Sequence, residues 1–149
     1  MGAAVPRVKV GNVRHNVGKI CELLSRAVSE RCDLLVFPEL ALTGYTCADL
    51  FQQRSVLLAA EEGLNTVCEA TESHHCAAVV GLPATAGVHL FNCAVVVQRG
   101  AILGAVPKTY VPNYREYYEK RWFASARDAV TEHVDLCGQR VPFGNDLLF

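Results

Sequence analysis

Leu34-Leu35-Val36-Phe37-Pro38-Glu39 is the stretch from which the rest of the chain can be read. Four consecutive apolar residues are too few for an ordinary helix and suit a strand covered on both faces. Pro38 biases Phe37 towards an extended backbone and cannot donate to a sheet ladder, so the run stops and presents Glu39 at the strand's carboxyl end. Ligand crevices of α/β sheets open at such ends.

Upstream, Val17, Ile20, Cys21, Leu24, Ala27 and Val28 recur at helical spacing, which predicts an amphipathic helix capped by Asn16 and ending near Glu30. Downstream, Val56, Leu57, Ala60, Leu64, Val67 and Cys68 predict a second helix, followed by a short strand Cys76–Val80 stopped by Gly81 and Pro83. Helix and strand thus alternate, as in a layered α/β fold. The pattern then changes. Leu90–Gln98 and Ala101–Val106 flank Arg99-Gly100, a two-residue turn, so a hairpin joins the sheet and makes it mixed.

The chain has 149 residues, the size of roughly one domain. At 51% hydrophobic and 19% charged, it is neither disordered nor fibrous. Fourteen Lys+Arg against 15 Asp+Glu leave a net charge of −1, with no positive field for a nucleic acid or an anionic membrane, and neither is expected as a partner. No apolar stretch approaches the ~20 residues of a membrane span, and no signal segment opens the sequence, so a cytoplasmic location is expected. The seven cysteines are odd in number and form no Cys-x-x-Cys pair; they read as small buried hydrophobes in a reducing compartment, with no metal site. His74-His75 read as solvated helix-end residues, and Asp49 and Arg54 as makers of local loop contacts.

Lys108 repeats the arrangement of Glu39: apolar Ala101–Val106, then Pro107, then a lone cation. Two opposite charges delivered by strand–proline junctions could meet in one site, where the carboxylate takes a proton and the cation stabilises developing negative charge. Spacing alone leaves open that they are unrelated charges facing water. The following segment, Tyr110–Phe123, interleaves six aromatics with charges and suits a pocket wall, an association surface or a plain surface helix, with Pro112-Asn113 opening a loop before a short helix.

Val134–Leu136 and Arg140–Phe143 predict a second hairpin around Gly138, and Leu147-Leu148-Phe149 starts another apolar run; Met1–Pro6 resembles the end of a strand. A fragment of a longer protein is therefore expected, poorly stable or prone to associate when isolated.

Phe37-Pro38-Glu39-Leu40, Thr43-Gly44-Tyr45, Asp49-Leu50-Phe51, Gly81-Leu82-Pro83, Asn92, Pro107-Lys108-Thr109-Tyr110, Pro112-Asn113-Tyr114-Arg115-Glu116 and Tyr118-Glu119-Lys120-Arg121-Trp122-Phe123 together resemble the nitrilase superfamily, and more narrowly its glutaminase branch in glutamine-dependent NAD synthetases. The resemblance implies an α-β-β-α sandwich, present here as a truncated part, residues 1–149 forming a partial carbon-nitrogen hydrolase domain without the synthetase domain. It implies a Glu–Lys–Cys triad with Glu39 as general base and Lys108 stabilising the tetrahedral intermediate. Glu119 matches a second acidic position, Tyr114 a substrate-contacting tyrosine, and Tyr45 a residue lining the pocket. Glutamine is the implied substrate. Its ammonia would pass to a synthetase domain of the same polypeptide, where ATP and magnesium serve amidation of deamido-NAD; the parent is expected to be a homo-oligomer. No cofactor is implied for this chain. None of the seven cysteines stands in the nucleophile's context, so these residues alone are expected to be inactive. Another amidase or carbamoylase of the superfamily, or a non-catalytic interaction module, are the alternative readings.

Overall fold

Asn12, not Asn16, starts the first helix. In the computed structural model, which describes residues 1–149, α1 runs over Val13–Ser29, and the Asn12 side chain accepts from the His15 backbone N–H at 3.1 Å. Asn16 is fully buried, so it cannot be the solvent-side cap that its position before the apolar periodicity suggested. Its amide instead donates to Lys9 O and Leu42 O, both at 3.0 Å, and its Oδ1 accepts from Lys9 N at 2.7 Å. One buried amide therefore ties the segment before α1 to the loop that carries Glu39, satisfying backbone groups that water cannot reach.

Strand β1 (Gly2–Ala3) pairs in parallel with β2 (Leu34–Val36), and β2 in parallel with β3 (Ala77–Ala86). Helix α2 (Arg54–Thr71) lies between β2 and β3 in sequence and packs on α1, with Gly63 allowing Val13 and Val17 to approach. β4 (His89–Gln98) and β5 (Ala101–Pro107) continue the sheet antiparallel, giving the order β1-β2-β3-β4-β5. The expected mixed sheet is present. At the hairpin tip Arg99 and Gly100 both have positive φ, 51° and 78°, the turn geometry that matches the right-handed strand twist.

Gly81 and Pro83 do not stop β3. The Gly81 carbonyl accepts from Leu42 N on the β2 side, and Pro83, two residues on, directs its missing N–H to that same side, where no β4 ladder bond is lost.

Alternate residues of β3 and β4, Ala78, Val80 and Leu82 with Cys93, Val95 and Val97, face α1 and α2 and form the main core. Strand β2 is covered more on this side than on the other: Leu35 is buried, but Val36 on the opposite face is 37% exposed, so the expectation of a run covered on both faces fails. Both helices lie on one face of the sheet, and among residues 1–149 no second layer covers Val36.

A two-stranded hairpin, β6 (His133–Leu136) and β7 (Gln139–Pro142), closes the core beyond β5 through Val134, Leu136 and Val141. Leu147–Phe149 forms no strand; the Leu147 and Phe149 side chains lie over Gly104 of β5, where a Cβ would meet them at 2.8–2.9 Å. Phe91 of β4 bridges Ala124, and Ala105 bridges Phe143, so the segments after β5 are laced back onto the sheet.

Candidate active site

The site lies where the loop after β2, the first half of β4 and the end of β5 meet. Leu40 has positive φ (52°), and the turn Pro38–Leu40 lies directly against Gly81: a Cβ there would sit 2.3 Å from Leu40 N and 2.8 Å from Pro38 O. Glycine at 81 is therefore a condition for Glu39 to reach the neighbouring strands. From the other side, the Lys108 backbone N–H donates to Asn92 O at 2.8 Å, extending the β4–β5 ladder by one bond past Pro107.

Lys108 Nζ donates to Glu39 Oε1 at 2.7 Å and to both oxygens of Glu119 at 3.0 Å. The two charges presented by strand–proline junctions thus meet, and the second acidic residue joins them. Asn92 Nδ2 donates to Glu39 Oε1, and the Tyr45 hydroxyl donates to Glu119 Oε1. Glu119 is 3% exposed, held by its backbone N–H to Pro112 O at 3.1 Å in a single 3₁₀ turn, Glu119–Arg121. The short helix expected after Pro112-Asn113 is no more than this turn.

One ammonium between two carboxylates leaves the cluster with a formal charge of −1. Burial pulls the Lys108 pKa down, but its hydrogen bonds to Glu39 and then Glu119 outweigh it, and the ammonium is held above its ordinary value. Burial and the bond to Glu119 push the Tyr45 phenol up, so it stays a donor at neutral pH.

Glu39 and Lys108 open on a cavity of about 610 Å³ over the uncovered sheet face, lined also by Val36, Val79, Asn92 and Ala94. Tyr114 lies elsewhere: it is 64% exposed, packs on Tyr117 with ring centroids 6.1 Å apart, and borders a second cavity of about 970 Å³ that shares Lys108 with the first. Tyr45 touches neither cavity; its hydroxyl is one hydrogen bond behind Lys108, through Glu119.

The Asp49 carboxylate does not serve its own loop. Its carboxylate takes Arg121 Nε and Nη2 at 2.6 and 2.9 Å and the Trp122 indole N–H at 2.9 Å, clamping the Glu119 turn from 72 residues away. Arg121 first, then Trp122, hold the Asp49 carboxyl well below its usual range. Behind this clamp Phe51 packs on Phe123 at 4.8 Å, in a small apolar cluster with Leu40, Cys47 and Val111. All seven cysteines are unpaired, and burial pushes the thiols of Cys21, Cys47, Cys76 and Cys93 up, with Cys68 at about 11 and Cys137 at about 12.

Sequence reasoning missed the roles of Asn92 and Asp49. The signal for Asn92 was available, since it is a lone amide inside the apolar run Leu90–Val97. Nothing in the spacing pointed from Asp49 to Arg121.

The carbon-nitrogen hydrolase family matches residues 3–140. Glutamine-dependent NAD(+) synthetases of Mycobacterium tuberculosis and Mycobacterium leprae are 36% and 33% identical over 149 and 151 aligned residues, covering 100% of this chain and 22% of each relative. The crystal structure of a glutamine-dependent NAD(+) synthetase from Cytophaga hutchinsonii superposes with a TM-score of 0.89 at 27% identity, covering 99% of this chain and 25% of that one. The chain thus spans about a quarter or less of the length of these relatives. With the match extending over most of its residues and through the β2, β4 and β5 segments that build the site, the chain belongs to the carbon-nitrogen hydrolase family.

Proposed function

We infer that residues 1–149 supply the base and the ammonium of a glutaminase site within a longer glutamine-dependent NAD synthetase. The observation that carries this is the contact of Lys108 with Glu39 at 2.7 Å and with Glu119 at 3.0 Å, at the rim of a cavity on the sheet; the likeness to NAD(+) synthetases supports glutamine as the substrate. Glu39 takes the proton of a cysteine thiol, and the thiolate attacks the side-chain amide carbon of glutamine. The Lys108 ammonium faces the oxyanion that forms. Collapse breaks the C–N bond; Glu39 returns the proton to the leaving nitrogen, ammonia departs, and water hydrolyses the thioester to glutamate. Glu119, backed by Tyr45, orients Lys108, and Tyr114 is assigned a substrate contact from the neighbouring cavity that shares Lys108.

The nucleophile comes from sequence outside these 149 residues. None of the cysteines hydrogen-bonds Glu39 or Lys108, and the raised thiol pKa values of those named above leave little thiolate. Ammonia is consumed in a synthetase domain of the same polypeptide, where ATP and magnesium belong, in a homo-oligomeric cytoplasmic enzyme; no helix here is long and apolar enough to cross a membrane. Ammonia release from L-glutamine tests the reading. The expected result is turnover by a longer polypeptide carrying this sequence and none by residues 1–149; turnover by the short chain would place the nucleophile among its own cysteines, and turnover only of short aliphatic amides would assign an amidase.

A further inference from the structure

Glu39 is held unequally. Its Oε1 receives two donors, Lys108 Nζ at 2.7 Å and the Asn92 amide, whereas Oε2 receives none from the protein. Asn92 is itself 3% exposed, and its backbone carbonyl accepts the Lys108 N–H at 2.8 Å. A single residue of β4 therefore fixes both partners: its main chain sets where Lys108 leaves the sheet, and its side chain sets which oxygen of Glu39 faces that lysine. A neutral amide suits this position. An acid there would add a third carboxylate beside one ammonium, and an apolar side chain would leave Oε1 with Lys108 alone.

We propose that Asn92 is a positioning residue that pins Glu39 through Oε1 and so leaves Oε2 as the oxygen that exchanges the proton during amide hydrolysis. This rests on the reading of Glu39 as the base. The groups facing Glu39 are Lys108 from the end of β5, Glu119 from its 3₁₀ turn, Tyr45 beside Glu119, and Asn92; only Asn92 is without a titration of its own, so it reports on Glu39 without adding a charge.

The test is a pH titration of the 149-residue chain by NMR, with carbon-13 in the Glu side-chain carboxyls and nitrogen-15 in the Asn side-chain amides. In the unmodified chain the Asn92 amide is expected to shift with the same midpoint as the Glu39 carboxyl, and Glu39→Gln to abolish that shift. An Asn92 amide that ignores pH in the unmodified chain overturns the proposal, even where Asn92→Ala does not fold. In the longer polypeptide, Asn92→Ala should lower kcat for glutamine more than it changes KM; an unchanged kcat in the folded variant overturns the proposal. A co-titrating amide in a polypeptide with no glutamine turnover would sink the base assignment and leave the Asn92–Glu39 pairing standing.

Discussion

Lys108 has three carboxylate oxygens within 3.0 Å, one on Glu39 and two on Glu119, so the protein holds its ammonium in place from two sides. Such a lysine is a fixed charge rather than a swinging one, which is consistent with the oxyanion role inferred for it. The exposed end of the same network is the Asp49–Arg121 pair, and it carries a pH dependence of definite sign. The Asp49 pKa is depressed in the folded chain, so its contribution to stability is complete above the unfolded value of about 3.9 and is lost as pH falls through the folded value. The melting temperature of Asp49→Asn is expected to lie below that of the unmodified chain near neutral pH, with the gap narrowing as pH is lowered from about 5 towards 2. A gap that stays constant over that range would show that the carboxylate charge does not hold the Glu119 turn. At this scale the sequence showed Glu39 and Lys108 as charges, because prolines isolate them from apolar runs. It did not show that they touch, since 69 residues separate them and only the register of the folded sheet closes that distance.

At the scale of elements, the interval between periodic residues placed α1, α2 and both hairpins, because each is specified by contacts within its own span. Errors fell where tertiary packing overrides local signals. Asn16 reads as a cap by residue type, yet a buried position with three hydrogen bonds serves better as a tie between segments. Gly81 reads as a strand breaker, yet it is the place where the Pro38–Leu40 turn touches the sheet. Gly81→Ala must displace backbone, since its Cβ would meet Leu40 N at 2.3 Å. It is expected to destabilise the chain by about 1–3 kcal/mol, as overpacking commonly does, and in the longer polypeptide to lower glutamine hydrolysis by about 10²-fold through misplacement of Glu39. Denaturant midpoints and ammonia release check both; a chain as stable and as active as the unmodified one would mean the turn does not lean on β3.

Across the whole molecule, two helices cover one face of the sheet, while Val36 at 37% and Leu103 at 41% exposure stay open to water and Phe149 is 65% exposed. The α/β class and the mixed sheet could be read from the sequence because alternation and turn residues are local. Which face is open could not, because alternate residues of β3 and β4 are apolar on both sides. Apolar surface of this kind drives association, so the 149-residue chain is expected to show concentration-dependent sedimentation; a monomer at all concentrations with a sharp cooperative melt would count against it. The sheet matters to the proposed function through what it brings together at its strand ends: a carboxylate and an ammonium in direct contact. The most direct check is the rate of ammonia release from L-glutamine by the longer polypeptide before and after Glu39→Gln. A fall of about 10²-fold or more, with the Lys108 segment still folded, is expected for a base acting in the reaction; an unchanged rate would contradict it.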